Sequence, residues 1–404
     1  MKSGIAWLDT SADEEHRVRE MIALFSQRES RDELGIGQIR DAFSDALFPG
    51  TSVIQTRARY FLIVPWVFNA ASRKGSGQAL LAHAQLIERR LVEQLREAGA
   101  VDGLIGRLAG AAVKILPSSI YWSGLRTYGI LTHDVAPDQL AAHAPVQRDE
   151  VNELEARVIG DWDPTLPKAP EEFPQSLPGG LDLSEPEARW LRERILAAVP
   201  GTLLAHLLAA DHAPDPTSPF PWRDSLCSSA ADAVRKILRH AELFSLTING
   251  AALLYNLLVG ERYEAAGLSR VVTPVQTYRD AYGTWLQALE EAQPQLQSWD
   301  REAFWSFVRR CNPRITDRTR LFVVTWTNAV LDKTVYRATE DAGLRATIAD
   351  RERAIKKSQS RLTNDKLLGA WSGESGSGRL AYRWPQVRRI VTDIHQGMQL
   401  RASA

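Results

Sequence analysis

The sequence contains few of the features that would set it apart from ordinary globular proteins. It has 2 cysteines in 404 residues, which is no disulfide framework and fits thiols in a reducing compartment. The N-terminal stretch turns acidic at Asp13 and Glu14, too early for a signal peptide. No apolar run approaches the ~20 residues that a membrane helix needs. We therefore predict a cytoplasmic protein with no membrane partner.

The sequence also lacks net charge, because 49 Lys and Arg residues balance 49 Asp and Glu residues. No overall charge attracts nucleic acid, so any such site must be local. The charges are nevertheless segregated along the chain. Residues 134–193 hold fourteen acidic and five basic residues, a net of −9, whereas residues 351–404 hold eleven basic and four acidic residues, a net of +7.

Recognisable catalytic motifs are missing as well. The chain has no HExxH zinc motif, no GxxxxGK[ST] phosphate loop and no GxSxG nucleophile motif. Gly376, Gly378 and Ala381 imitate a dinucleotide-binding fingerprint, but no strand precedes them, and a flexible linker is the better interpretation. We predict no catalytic residue, metal or cofactor. An enzyme whose residues assemble only in the folded chain stays open.

What the sequence does contain is helical periodicity. Apolar residues recur at helical spacing over 78–98, and Asp300 and Thr316 are placed to cap the helices that follow them. The fold class predicted is mainly α. We divide the chain into an N-terminal helical domain (1–135), an acidic proline-rich linker or excursion (136–186), a helical bundle (187–345) and a basic C-terminal segment (346–404).

The stretch at 117–132, PSSIYWSGLRTYGILT, resembles a helix-turn-helix followed by the start of a wing. A helix predicted over 104–115 would stop at Pro117, Ser118 would cap a second helix, and Gly129 would end it. In that motif the second helix enters the major groove, with Ser119, Trp122 and Arg126 facing outwards. The alternative is an ordinary helical hairpin with Trp122 in the core.

The most hydrophobic stretch is 51–69, which predicts a buried helix or strand over Tyr60–Phe68. Arg57 and Arg59 stand at its polar start. Two arginines entering a buried element either pair with internal acids or contact phosphates.

The basic C-terminal segment predicts a second phosphate-binding surface. Lysines and arginines interspersed with Tyr382 and Trp384 suit phosphate contact with stacking. The alternative is a basic face that balances the acidic middle of the same chain. The nucleic-acid contacts predicted from the sequence are Arg57, Arg59, Ser119, Trp122, Arg126, Lys356, Lys357, Arg361, Arg379, Arg383, Arg388 and Arg389.

Four phrases carry a family resemblance: SGIAWLDTS, FPGTSVIQTRARYFLIVPWVF, SIYWSGLRTYGIL and RWPQVRRIVTDIHQGM. Together they resemble an uncharacterised bacterial family, a domain of unknown function associated with anti-phage defence gene clusters. The resemblance implies work beside helicases or nucleases, and it supplies no catalytic residues.

Two functions follow as expectations. The first is a non-catalytic accessory subunit of an anti-phage defence complex that binds DNA. The second is a protein-interaction scaffold that docks a helicase or nuclease without touching nucleic acid.

Overall fold

A computed structural model describes residues 32–73, 77–137, 140 and 161–399. Residues 1–31, with which the predicted N-terminal domain begins, and 141–160 of the predicted linker lie outside this description. The described chain confirms the mainly α prediction: its regular structure is helical, and its only β pairing is an isolated bridge between Leu131 and Trp162.

The described α-helices are numbered in chain order. They are α1 (Gly37–Leu47), α2 (Tyr60–Ser72), α3 (Gly77–Glu97), α4 (Pro117–Thr127), α5 (Glu185–Ala198), α6 (Leu203–Ala209), α7 (Ser225–Ser228), α8 (Asp232–Ala265), α9 (Pro274–Glu291), α10 (Gln293–Gln297), α11 (Arg301–Cys311), α12 (Asp317–Leu331), α13 (Ala342–Lys356), α14 (Asp365–Gly369) and α15 (Trp384–Gln399).

The chain forms two compact units, and each combines separate parts of the sequence. The described residues of the first unit lie within 48–217 and 385–399, and those of the second within 32–47 and 218–384. The four consecutive segments predicted from composition divide the chain differently, along the sequence rather than by contact, and they stay a prediction.

The core of the first unit is built around α2. Residues 60–68 are all buried, as predicted. The sequence left helix and strand open for this stretch, and the structure shows a helix that continues through Pro65. The Phe61 ring lies against Tyr121 and Tyr128, with ring centroids 4.9 and 5.1 Å away. A Cβ added to Gly124 would come within 2.5 Å of the Gly50 carbonyl oxygen, so only glycine allows this approach of α4.

Helix α4 ends as predicted but begins differently from the predicted DNA-reading helix. Ser118 does not cap it. Instead, the Ser118 backbone N–H and hydroxyl donate to the two carboxylate oxygens of buried Glu88, at 2.7 and 2.9 Å. Gly129 follows the helix with φ +64°, as predicted. The α-helix predicted over 104–115 is wrong, because those residues form turns and a short 3₁₀ helix (Gly110–Ala112), with Gly106 and Gly110 at positive φ. The helix-turn-helix interpretation therefore has no support in this described stretch.

The described part of the predicted acidic linker lies against α2. The Trp66 indole N–H donates to the Pro167 carbonyl at 2.7 Å, and the Phe173 ring meets Trp66 with centroids 5.8 Å apart. On the other side of α2, Trp162 meets Phe68 at 6.0 Å. Aromatic packing thus fixes 161–177 to the first unit.

The second unit is organised around α8, 34 residues long. This helix is long and apolar enough to cross a membrane, but 89% of the apolar window is buried inside the protein. Its neighbours include α1, α9, α12, α13 and α14. Such burial is what the central helix of a packed bundle requires.

A glycine- and serine-rich stretch, 372–379, runs along α8. The sequence predicted a flexible linker here, and that prediction is wrong. The Asn256 side chain donates to the Ser375 carbonyl at 2.8 Å and accepts from the Ser375 N–H at 2.9 Å. One further contact comes from Asn249, which donates to the Ser377 carbonyl at 2.8 Å.

Helices α11 and α12 begin where the sequence predicted. The Asp300 carboxylate accepts from the Ala303 N–H at 2.9 Å, and the Thr316 hydroxyl accepts from the Thr319 N–H at 3.3 Å. Their buried faces include Phe304 and Trp326. Leu321 is 68% exposed, because the buried face of α12 is formed by Phe322 and Trp326 among others.

Candidate functional site

Arg57 is a buried structural arginine. Its Nε donates to both Asp393 oxygens at 3.1 and 2.9 Å, and its Nη2 forms an ion pair with Asp182 at 2.5 Å. The Ala58 N–H also donates to Asp393, at 2.9 Å. Burial raises the pKa of Asp393, and the bonds from Arg57 and Ala58 oppose that rise. The geometry favours internal pairing over phosphate contact.

Arg59 is also a buried arginine that is paired inside the first unit. Its Nη2 donates to the buried Glu187 carboxylate at 2.8 Å, and its Nη1 donates to the carbonyls of Pro178 and Gly180 at 2.7 and 2.8 Å. Glu187 also accepts from the Ser184 N–H at the start of α5. The two arginines therefore hold the first unit together.

The three α4 residues predicted to contact DNA differ in their exposure to solvent. Ser119 and Arg126 are exposed, whereas Trp122 is 9% exposed and packs in the core. The Trp122 indole N–H donates to the Val135 carbonyl at 3.0 Å. Arg126 forms a surface ion pair with Asp134 at 2.8 Å. The core alternative given for Trp122 is thus the one observed.

Two of the C-terminal cations in the second unit share one carboxylate. Lys356 and Arg361 lie 3.1 and 2.9 Å from the two oxygens of Glu33, which is 5% exposed. Lys357, between them in sequence, is exposed and has a left-handed backbone with φ +51°.

Arg379 and Arg383 also have internal roles in the second unit. The Arg379 guanidinium lies 5.0 Å from the Phe220 ring centroid and 5.5 Å from that of Trp222. Burial lowers the pKa of Arg379. Arg383 donates to Asp45 at 2.7 Å.

Arg388 and Arg389 belong to the first unit. Arg389 pairs with Asp102 and, at 3.3 Å, with Asp393. The pKa of Asp215 is lowered chiefly by hydrogen bonds from Thr217, with a smaller contribution from Arg388. The proposed stacking residues of the basic segment, Tyr382 and Trp384, are 1% and 0% exposed. Most of the predicted basic residues are thus paired or packed within their own unit.

A different group of arginines stands out in the second unit. Six arginines on α11, on α12 and between them are exposed, and within the described part of the chain none forms an ion pair. We call them the arginine cluster: Arg301, Arg309, Arg310, Arg314, Arg318 and Arg320. Residues 309–320 alone hold five of them against one acid, Asp317. Unpaired guanidinium groups this dense create a local positive potential although the whole chain is neutral.

A groove of about 500 Å³ lies beside the cluster and is lined by residues of α11 and α12 and of the turn before α11. Its apolar lining is largely buried, namely Trp299, Phe304, Trp305 and Val323. Its charged lining is exposed and consists of three arginines of the cluster and two carboxylates, namely Arg301, Arg309, Arg320, Asp300 and Glu302. The groove therefore has an apolar inner wall and a charged edge in which three arginines outnumber two carboxylates.

The aromatic wall is held in position by the core. The Trp299 indole N–H donates to His240 Nδ1 at 2.9 Å. Burial lowers the pKa of His240, which keeps the ring neutral and able to accept this bond. The Arg320 guanidinium lies 5.8 Å from the Trp305 ring centroid, a cation–π distance.

A second groove, about 380 Å³, lies in the first unit and is lined by Arg57, Asp182, Asp393 and Gln396, among others. Its guanidinium is already paired with both aspartates. It therefore presents no unpaired charge to a ligand. In the part of the chain that the structure describes, no group of three or more His, Cys, Asp or Glu side chains is placed to hold a metal ion.

The sequence did contain a signal for the arginine cluster. Five arginines in the twelve residues 309–320 form a local charge excess, which cancels in the net charge of much longer segments. The groove left no comparable signal, because its wall combines residues from 299 to 328 that meet only in the folded chain.

Comparison with known proteins gives a family and little else. No curated protein matches the chain. No solved structure matches it either. A family model, however, matches residues 2–397, nearly the whole sequence. The chain therefore belongs to that family, described as a family of unknown function (DUF6361).

Proposed function

We propose that this protein binds nucleic acid through phosphate contacts made by the arginine cluster, as a non-catalytic accessory subunit. One observation carries the proposal: six exposed arginines share one stretch of the second unit without a carboxylate partner among the described residues. The cofactor-free, metal-free role expected from the sequence is part of the same proposal.

The physical basis is the contrast between this cluster and the other predicted cations. Arg57, Arg59 and Arg361 are neutralised by carboxylates of their own unit. Neighbouring unpaired arginines repel one another, and a polyanion relieves that repulsion while releasing its condensed counterions. Arginine also suits phosphate geometry, because its planar fork can donate two parallel hydrogen bonds.

The cellular setting belongs to the proposal too. The family resemblance suggests a bacterial anti-phage defence complex in the cytoplasm, with a helicase or nuclease as partner and DNA as the bound polymer. The cluster supports this setting only by offering a place for DNA phosphates.

The second candidate is a scaffold that docks a partner protein without touching nucleic acid. Leu321, 68% exposed on α12 and adjacent to Arg320, favours it. An exposed leucine among arginines would suit an acidic partner surface with an apolar centre.

The first test replaces three cluster arginines, Arg310→Gln, Arg314→Gln and Arg318→Gln, and measures DNA binding by fluorescence anisotropy at several salt concentrations. We expect weaker binding to two unrelated duplexes by a similar factor. The slope of log affinity against log salt should fall by up to about 2.7, since each phosphate contact contributes about 0.9 on duplex DNA.

A charge-matched control removes three exposed cations of the same unit, Arg235→Gln, Lys236→Gln and Lys366→Gln. This control should bind DNA as the wild type does. Equal losses in both triple variants would show that only total charge matters. Absence of salt-sensitive binding by the wild type would reject the proposal and leave the scaffold as the leading function.

A further inference from the structure

We propose that the groove beside the arginine cluster holds an unpaired nucleobase, so that the protein prefers single-stranded over duplex nucleic acid. This inference rests on the proposed function, because the cluster would hold the phosphates of the same strand. It goes further by assigning the groove an occupant of stated chemistry.

The shape of the groove is the first reason. Its volume of about 500 Å³ falls in the range of small-molecule sites, about 300–1,000 Å³. Its aromatic side chains, Trp299 and Trp305, are each only 7% exposed, so they form a recessed wall and no protruding platform. Bases in a duplex are stacked inside it, and a base reaches a recessed apolar site only after leaving the stack.

The charge at the groove is the second reason. Arg309 and Arg320 belong both to the groove lining and to the cluster. A base inside the groove would therefore have its own phosphates beside unpaired guanidinium groups. A purely apolar ligand would leave these cations unused, whereas a nucleotide offers a base to the apolar wall and phosphates to the three arginines, which outnumber the two carboxylates of the lining, Asp300 and Glu302.

The polar lining is the third reason. Asn328 and Thr327 line the groove from α12, and their side chains offer both hydrogen-bond donors and acceptors. Base edges carry the same mixture of groups. Because Trp299 is fixed by His240 and Trp305 by packing on Phe304, with centroids 5.1 Å apart, the wall is ordered before any ligand binds, which reduces the entropic cost of binding.

The test compares three probes of equal length on the full chain: oligothymidylate, an abasic single strand and a duplex. We expect oligothymidylate to bind about tenfold more tightly than the abasic strand, as one stacked base would produce. The duplex should bind more weakly than oligothymidylate. Equal binding of the oligothymidylate and abasic strands would overturn the base pocket while leaving the proposed function intact.

A groove-filling variant separates the base from the phosphates. Val324 lines the groove and is partly exposed, so Val324→Phe should occupy the groove without removing a charge. We expect this variant to lose the tenfold preference and to keep the salt slope of the wild type. A preference that survives in a folded Val324→Phe protein would place the base elsewhere.

The matched control is Leu321→Phe, on the exposed surface of the same helix, which should retain the preference. Competition with polyglutamate tests the other occupant, an acidic peptide. Displacement of oligothymidylate from the wild type but not from Val324→Phe would assign the groove to a peptide and overturn the inference. If no probe binds the wild type, the proposed function fails together with it.

Discussion

At the scale of single residues, the chain contains both buried and solvent-exposed ion pairs. Arg57 donates to Asp393, whose side chain is 1% exposed. Arg126 pairs with Asp134, but both side chains are largely in solvent, at 48% and 76%. Buried and exposed pairs of the same chemistry differ in energy, because only the buried carboxylate is left uncompensated when its partner is removed.

Arg57→Ala should therefore lower the free energy of unfolding by about 3–5 kcal/mol, as loss of one partner of a buried pair does. Arg126→Ala, the matched control, should change it by no more than about 0.5 kcal/mol. Urea unfolding of both variants measures the difference. A loss below about 1 kcal/mol for Arg57→Ala would mean that the pair is not structural.

Glu88 predicts a pH dependence of stability. It is 1% exposed, and burial raises its pKa to about 7, although hydrogen bonds from Ser118 oppose the rise. In the unfolded chain the pKa is near 4.5. Between these two values the folded protein binds more protons than the unfolded chain. The Glu88 contribution is therefore lost as pH rises from about 4.5 to about 7, by up to about 3 kcal/mol.

Glu88→Gln should remove this dependence, because the amide stays neutral and its oxygen still accepts from the Ser118 N–H. Urea unfolding at a series of pH values measures it. The variant should gain stability relative to the wild type above neutral pH and approach it at low pH. Parallel curves for the two proteins over this range would contradict the raised pKa.

At the scale of elements, periodicity and caps predicted much of the helical structure, whereas tertiary contacts decided the rest. Asp300 and Thr316 cap α11 and α12 as predicted. The predicted helix over 104–115 failed because Gly106 and Gly110 adopt positive φ, which a helix does not allow. The apolar residues at helical spacing there are not all buried, because Leu104 and Ile115 are in the core whereas Leu108 is 89% exposed.

The stretch 372–379 shows a second limit of local sequence reasoning. Glycine and serine predict flexibility when no partner is known. Here the partner is Asn256, 119 residues away from Ser375 along the chain. A contact at that separation leaves no signal in a single sequence, and the same holds for Arg57 with Asp393, 336 residues apart.

Asn256→Ala should release this stretch from α8. The change leaves the buried N–H and carbonyl of Ser375 without a partner, which costs about 1–3 kcal/mol for each group. We expect faster cleavage after Glu374 by a glutamate-specific protease under native conditions. Gln276→Ala, at an exposed position on α9, should be cleaved as slowly as the wild type. Unchanged protection in Asn256→Ala would mean that other contacts hold the stretch.

At the scale of the whole molecule, the numbers of acidic and basic residues are equal, but only some of the cations form ion pairs within the protein. Many basic residues of 351–404 form ion pairs within their own unit, with Glu33, Asp45 and Asp102 among others. The arginine cluster, on α11, on α12 and between them, lies outside that segment, in a region where net charge summed over long segments indicated nothing. The sequence could predict that a nucleic-acid site must be local, but which arginines are unpaired depends on the fold.

The discontinuity of the two units also bears on the order of folding during synthesis. Domains generally fold as units while the chain is made, N-terminal parts first. Here the second unit is complete once residue 384 has been added, whereas the first still needs residues of α15. Until Asp393 emerges, Arg57 and the Ala58 N–H lack their buried acceptor. The first unit, most of which is translated earlier, is thus the last to have all of its residues. A chain truncated before α15 would contain an incomplete first unit and a second unit with nearly all of its residues.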